Sequence, residues 1–156
     1  LIFLPFIHGA PEHLGASGTF LGIKGSHTFA HVARAVAEGV TQYHRVQIEK
    51  VSACGAGLTN GPWTLAGGGA KNAQWAQMFA DILDHPMRRQ LGTELGARGV
   101  ASLAARGVGM DTSPWQVAPD PALVVSPGTA RDAYRDQAAR FDRVLSAMGS
   151  VWEVSA

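Results

Sequence analysis

The chain has 156 residues, 46% of them hydrophobic and 16% charged, with a formal net charge of +1. That length builds one domain with a sizeable core, and the composition is that of a folded chain rather than a disordered one. A near-zero charge with scattered Lys and Arg leaves no basic footprint for nucleic acid. No apolar run nears the ~18 residues that span a bilayer, so a membrane is not an expected partner either. The single cysteine, Cys54, has no internal partner, which suits a reducing cytoplasm.

The first residue is Leu1 rather than Met, inside an apolar run, so the sequence reads as a piece of something longer. Residues 1–7 read as a strand broken by Pro5, and 8–17 as a loop carrying Gly9, Pro11 and Gly15. A short strand bounded by glycines follows at 18–23. The longest helix is predicted from Ser26 or His27 to about Ala53. Its buried stripe is Phe29, Val32, Ala33, Val36, Ala37, Val40 and Tyr43. Gly39 inside that helix costs about 1 kcal/mol against Ala and points to a closely packed neighbour. Residues 54–62 are a glycine-rich turn leading to a strand at 63–66.

The run Gly67-Gly68-Gly69-Ala70-Lys71-Asn72 comes next. After it Trp75, Met78, Phe79, Ile82 and Leu83 recur at i, i+3, i+4, i+7 and i+8, one stripe of a helix. Asn72 stands at the N-cap position. The arrangement is strand, glycine turn, helix. Three glycines let the backbone adopt φ > 0 and let a flat or charged ligand approach. The helix start behind them suits a phosphate. Close packing alone also calls for glycine at such a turn, so both readings stand. The spacing matches neither the Walker loop nor G-x-G-x-x-G. Trp63 and Trp75 flank the turn as purine borders or as core, and Lys71 is a phosphate contact or an exposed lysine.

His85-Pro86 stops the helix, and residues 87–90 read as a short edge strand. Thr93 is the expected cap of a third helix at 94–106, with Glu94 in its first turn. Gly96 and Gly99 lie three apart, as close approach to another backbone needs, and Gly107 and Gly109 end the helix. Residues 108–125, with Pro114, Pro119 and Pro121, are an irregular crossing. Ser126-Pro127 opens the last helix, whose inward stripe is Tyr134, Ala138, Phe141, Leu145 and Met148. The order is α/β, with too few strands for a self-contained doubly wound sheet. His27 and His31, four apart, are either half of a metal site or a surface pair, and no third ligand accompanies them. Asp81 and Glu94 fit helix roles, and no carboxylate pair stands out for acid/base work, so no catalytic residue and no metal ligand is assigned.

Three segments carry a resemblance. Gly67-Gly68-Gly69-Ala70-Lys71-Asn72-x-x-Trp75-x-Gln77-x-x-Ala80-Asp81 resembles the adenosine-binding segment of the FGGY carbohydrate kinases. Gly18, Phe20, Gly22, Ile23, His31, Val32, Ala35, Val36 and Glu38 match a second family signature with a gap of seven; Ala37 departs from it where a larger apolar residue is usual. Glu94-Leu95-Gly96-Ala97-Arg98-Gly99-Val100-Ala101 is similar to the family's Glu-x-Gly-Ala-x-Gly-x-Ala helix. Within the family, Leu4-Pro5-Phe6-Ile7-His8-Gly9 and the short loop before Gly18 look most like the pentulose kinases, L-xylulose and xylulose kinases above all.

The resemblance implies an α/β fold of the ribonuclease H-like, actin-like ATPase type. Residues 1–156 would be most of the C-terminal nucleotide-binding domain, the N-terminal sugar-binding domain lying outside this sequence. ATP or ADP with Mg²⁺ is the implied cofactor, and the implied reaction is transfer of the γ-phosphate to a hydroxyl of a ketopentose such as xylulose. Gly67, Gly68, Gly69 and Ala70 would line the adenosine and α-phosphate, and Asn72 would sit near the adenine or ribose edge. The family's Asp-x-Gly-Thr hairpin, its catalytic base and its sugar-binding residues do not occur here. By itself this segment is then expected to be inactive, and the alternative is a non-catalytic truncated half that binds nucleotide or a partner. A sugar bound through the preceding domain is the other implied partner, and a homodimer is a further possible assembly.

Overall fold

The computed structural model describes residues 1–10, 12, 15–55, 57–92, 94–116 and 120–154. Pro11 and Pro119 of the expected loops, and the expected Thr93 cap, lie outside the described residues. Among the described residues no helix is long and apolar enough to cross a membrane.

β1 (Ile2–Leu4) pairs antiparallel with β2 (Thr19–Leu21), and Phe3 faces Phe20 with ring centroids 4.5 Å apart. Pro5 lacks the N–H that a ladder needs, and the strand ends before it. α1 (Phe29–Ala53) then runs 25 residues. Its buried residues are Ala35, Gly39, Thr41 and Gln42, not the predicted stripe, and Phe29 is 86% exposed. The reason is the close crossing of β1: a Cβ on Gly39 would lie 2.1 Å from the Phe3 carbonyl oxygen. No side chain fits at position 39, and the buried face carries Ala35, Thr41 and Gln42 around it in place of bulky apolar residues. The expectation of a close neighbour at Gly39 holds.

A second sheet has the order β3 (Trp63–Leu65), β4 (Met87–Arg89), β5 (Val124–Val125). β3 and β4 are parallel, joined by α2 (Gly68–Lys71) and α3 (Ala73–Leu83), whereas β5 is antiparallel to β4. β4 is therefore central rather than the expected edge. Its second partner comes from the stretch read as irregular, which also contains short 3₁₀ turns at Ser113–Trp115 and Pro121–Leu123. α4 (Leu95–Gly107) begins with Glu94 at its N-cap position, at φ 54°, not in its first turn. Gly96 and Gly99 meet no neighbour: a Cβ on either would find nothing within 4 Å.

α5 (Arg131–Val154) starts later than Pro127. The preceding loop is pinned elsewhere, the Gly128 N–H donating to the buried Asp81 carboxylate at 2.6 Å. Of the expected stripe, Tyr134 and Phe141 are buried, and Leu145 and Met148 pack on the first core.

Two apolar clusters result. One joins Leu4, Phe6, Ala10 and Ala16 to Phe141 and Trp152, with Phe6 edge-on to Tyr43 and Trp152. The other gathers Phe79, Ala80 and Met87 under Trp63, Leu65, Trp75, Leu83 and Val125. α1 and α5 are also stitched by polar groups, Gln137 and Tyr134 both donating to Glu38, at 2.7 and 3.4 Å.

Candidate functional site

β3 delivers the chain to the glycine turn, and its last residue is held when the Gln90 N–H donates to the Leu65 carbonyl at 2.8 Å. Gly67 has φ 81° and ψ −157°, a combination open essentially to glycine alone. The next four residues close one short helical turn, in which the Ala70 N–H donates to the Gly67 carbonyl at 3.2 Å. A Cβ on Gly67 or Gly68 would meet nothing within 4 Å, so the outer face of the turn is bare, exposed backbone. At Gly69 a Cβ would instead lie 3.6 Å from the Trp75 ring. That is an ordinary packing distance, whereas a side chain at Gly68 would face open space.

Asn72 is the N-cap the sequence implied. Its Oδ1 accepts the Gln74 and Trp75 N–H groups at 2.9 and 3.1 Å. Ala70 is fully buried beneath the turn. Two further contacts have no counterpart in the sequence reading. Arg89, on the central strand, donates from Nε to the Ala70 carbonyl at 2.7 Å and from Nη2 to the Lys71 carbonyl at 3.1 Å. Trp75 donates from Nε1 to the buried Thr41 hydroxyl of α1 at 3.0 Å. The only sequence signal for Arg89 is an arginine pair that follows the single apolar residue Met87, and it carries no spacing that points to a turn two elements earlier.

Gly67, Gly68 and Asn72 are exposed, and Gly69 is half-buried. None of the five residues titrates, so the turn can bind and orient a ligand but cannot move a proton. Trp63 and Trp75 are both committed to packing, Trp63 stacking on His85 with ring centroids 3.9 Å apart. Lys71 is exposed.

The other candidates separate from this site. His27 and His31 each accept a backbone N–H at Nδ1, from Lys24 at 2.9 Å and from Thr28 at 3.1 Å. Among the described residues no three His, Cys, Asp or Glu side chains gather as a metal site would need. Cys54 is exposed at the end of α1. Asp81 is buried and accepts from Gln77 and Gly128, a structural role. A groove of about 590 Å³ near Leu21, Lys24, Arg140, Arg143 and Met148 shares no residue with the turn.

The parallel β3–β4 pair crossed by α3, with a glycine turn at the strand end, puts the chain among α/β proteins with a bare loop at the C-terminal end of a strand, the usual ligand position in that class. The solved xylulose kinase from Rhodospirillum rubrum superposes with a TM-score of 0.80 at 26% identity, covering 98% of this chain and 31% of that one. Such sugar kinases have an actin-like ATPase fold, which is the fold of this chain. The model of the FGGY family of carbohydrate kinases, C-terminal domain, matches residues 7–108. The chain belongs to that family. A xylulose kinase of Staphylococcus epidermidis is 39% identical over 114 residues, which are 70% of this chain and 22% of the relative. A probable L-xylulose kinase of Pasteurella multocida is 28% identical over 156 residues, 95% of this chain and 30% of the relative. The chain therefore spans between 22% and 30% of the length of these relatives.

Proposed function

We propose that this chain is the nucleotide-binding, C-terminal portion of an ATP-dependent kinase that phosphorylates a ketopentose such as xylulose. The observation that carries the reading is the bare backbone face at Gly67 and Gly68, which is held open between a strand end and a capped helix. ATP supplies the γ-phosphoryl group when bound. The chain's part is to bind and orient: Gly67, Gly68 and Gly69 offer a flat surface without side chains to the adenosine and α-phosphate, and Ala70 backs it from beneath. Asn72 has Oδ1 committed to its cap and keeps its amide end for an adenine or ribose edge. The turn fits a nucleotide. Mg²⁺ has no matching ligand set among the described residues.

The sugar site and the base carboxylate belong, in this reading, to a domain preceding residue 1, so the segment alone does not turn over. The choice of ketopentose rests on the xylulose kinases among the relatives. A cytoplasmic location accords with a lone exposed Cys54. ADP tests the reading directly: a ligand that binds only the folded state raises Tm. Millimolar ADP is expected to raise the Tm of the chain, and Gly68→Val, which points a branched side chain into the open face, is expected to abolish the rise. An unchanged Tm of the unaltered chain would sink the nucleotide reading.

A further inference from the structure

We infer that Arg89 is a positioning residue for the glycine turn, fixing through the turn's carbonyls the direction in which its free N–H groups face; its bearing on ligand binding rests on the nucleotide reading above. A helical turn points its C=O groups one way and its N–H groups the other. Each carbonyl shares a rigid plane with the next N–H, so holding those of Ala70 and Lys71 fixes the last peptide planes of the turn and, through the Ala70 N–H that closes it on Gly67, the direction of the Gly68 and Gly69 amides. The hold is bidentate, 2.7 and 3.1 Å to two consecutive carbonyls, and it comes from a planar fork that a lysine cannot reproduce.

The anchor is a strand position: Arg89 lies opposite Leu65 of β3, next to Arg88, which is opposite both Thr64 and Val124. The turn has need of it, since three successive glycines lose more conformational freedom on ordering than other residues and bring no side chains to pack. Asn72 fixes only where α3 begins. Arg89 fixes the end of the turn itself. It also has no carboxylate partner among the described residues.

The test uses the full chain, with Arg89→Met, Arg89→Lys and, as a destabilised control at the far end of α3, Asp81→Ala. Calorimetry gives the ADP affinity, and NMR-detected hydrogen exchange follows the Ala70 N–H, which closes the turn. Arg89→Met is expected to speed that exchange and weaken ADP by about ten-fold, as loss of a preorganised loop does. Arg89→Lys falls between, and Asp81→Ala keeps wild-type exchange at Ala70 and wild-type ADP affinity despite a lower Tm. Unchanged exchange in Arg89→Met overturns the positioning role, as does an equal effect from Asp81→Ala. Should Arg89→Met not fold, Arg89→Lys is held to the same criteria. If the wild-type chain takes no ADP, the nucleotide reading fails, and exchange alone decides the role of Arg89.

Discussion

At Gly39 the absence of one carbon sets how closely a helix and a strand approach. Alanine normally improves a helix interior by about 1 kcal/mol over glycine. Here the added Cβ would lie 2.1 Å from the Phe3 carbonyl oxygen, a backbone atom that cannot swing aside. Gly39→Ala is accordingly expected to destabilise the chain by about 2 kcal/mol, as overpacking does, measured by urea unfolding. Glu12 is a second residue with a definite consequence. The Lys50 ammonium, 2.6 Å from its Oε1, holds its pKa at about 2 against an ordinary 4.5. The contribution is full above pH 4.5 and lost as the pH falls through about 2, because only the unfolded chain takes up the proton between those values. Both side chains are well exposed, so water screens the pair and the effect stays below about 1 kcal/mol. Comparing wild type with Glu12→Gln across pH 2 to 6 should show a gap that closes on acidification. A constant gap would contradict this.

The β3–α3 connection is the element that made the sequence legible. Its cap is chemistry between near neighbours, Asn72 to Gln74 and Trp75, so spacing alone placed it. Asn72→Ala is expected to cost about 1 kcal/mol in thermal or urea unfolding, with Asn72→Asp close to wild type. Elsewhere the governing contact is remote and leaves no local trace. Periodicity in α1 offered the apolar face of Phe29 and Val36, but the face that is buried carries Ala35, Gly39 and Gln42 because β1 crosses there. The final helix begins four residues beyond Pro127, and nothing near Pro127 in the sequence reveals that Asp81 grips Gly128. The hold of Arg89 on the glycine turn is remote in the same way. The three family segments showed the fold where composition alone stopped at α/β.

Taken whole, the chain in our reading binds and orients a nucleotide at the glycine turn, where none of Gly67, Gly68, Gly69, Ala70 and Asn72 titrates. Supplied with ATP, Mg²⁺ and xylulose, the 156-residue chain is expected to form no ADP above the buffer rate in a coupled assay. Turnover would mean that a base lies within these residues after all. The surface also carries apolar side chains that no element covers, Leu103 of α4 at 69% exposure among them.

The two cores differ in how far apart their members lie along the chain, and that difference bears on how the protein is made. The cluster of Phe79, Ala80 and Met87 draws its partners from Trp63 to Val125. The other joins Leu4 and Phe6 to Phe141 and Trp152. A ribosome releases the chain from its first residue, so the unit bearing the glycine turn can consolidate while α5 is still inside the exit tunnel. β1 can pair with β2 and cross α1 early, but the cover that Phe141 and Trp152 give to Leu4 and Phe6 comes last, and until then that part of the core is exposed to whatever chaperone or neighbouring chain it meets first.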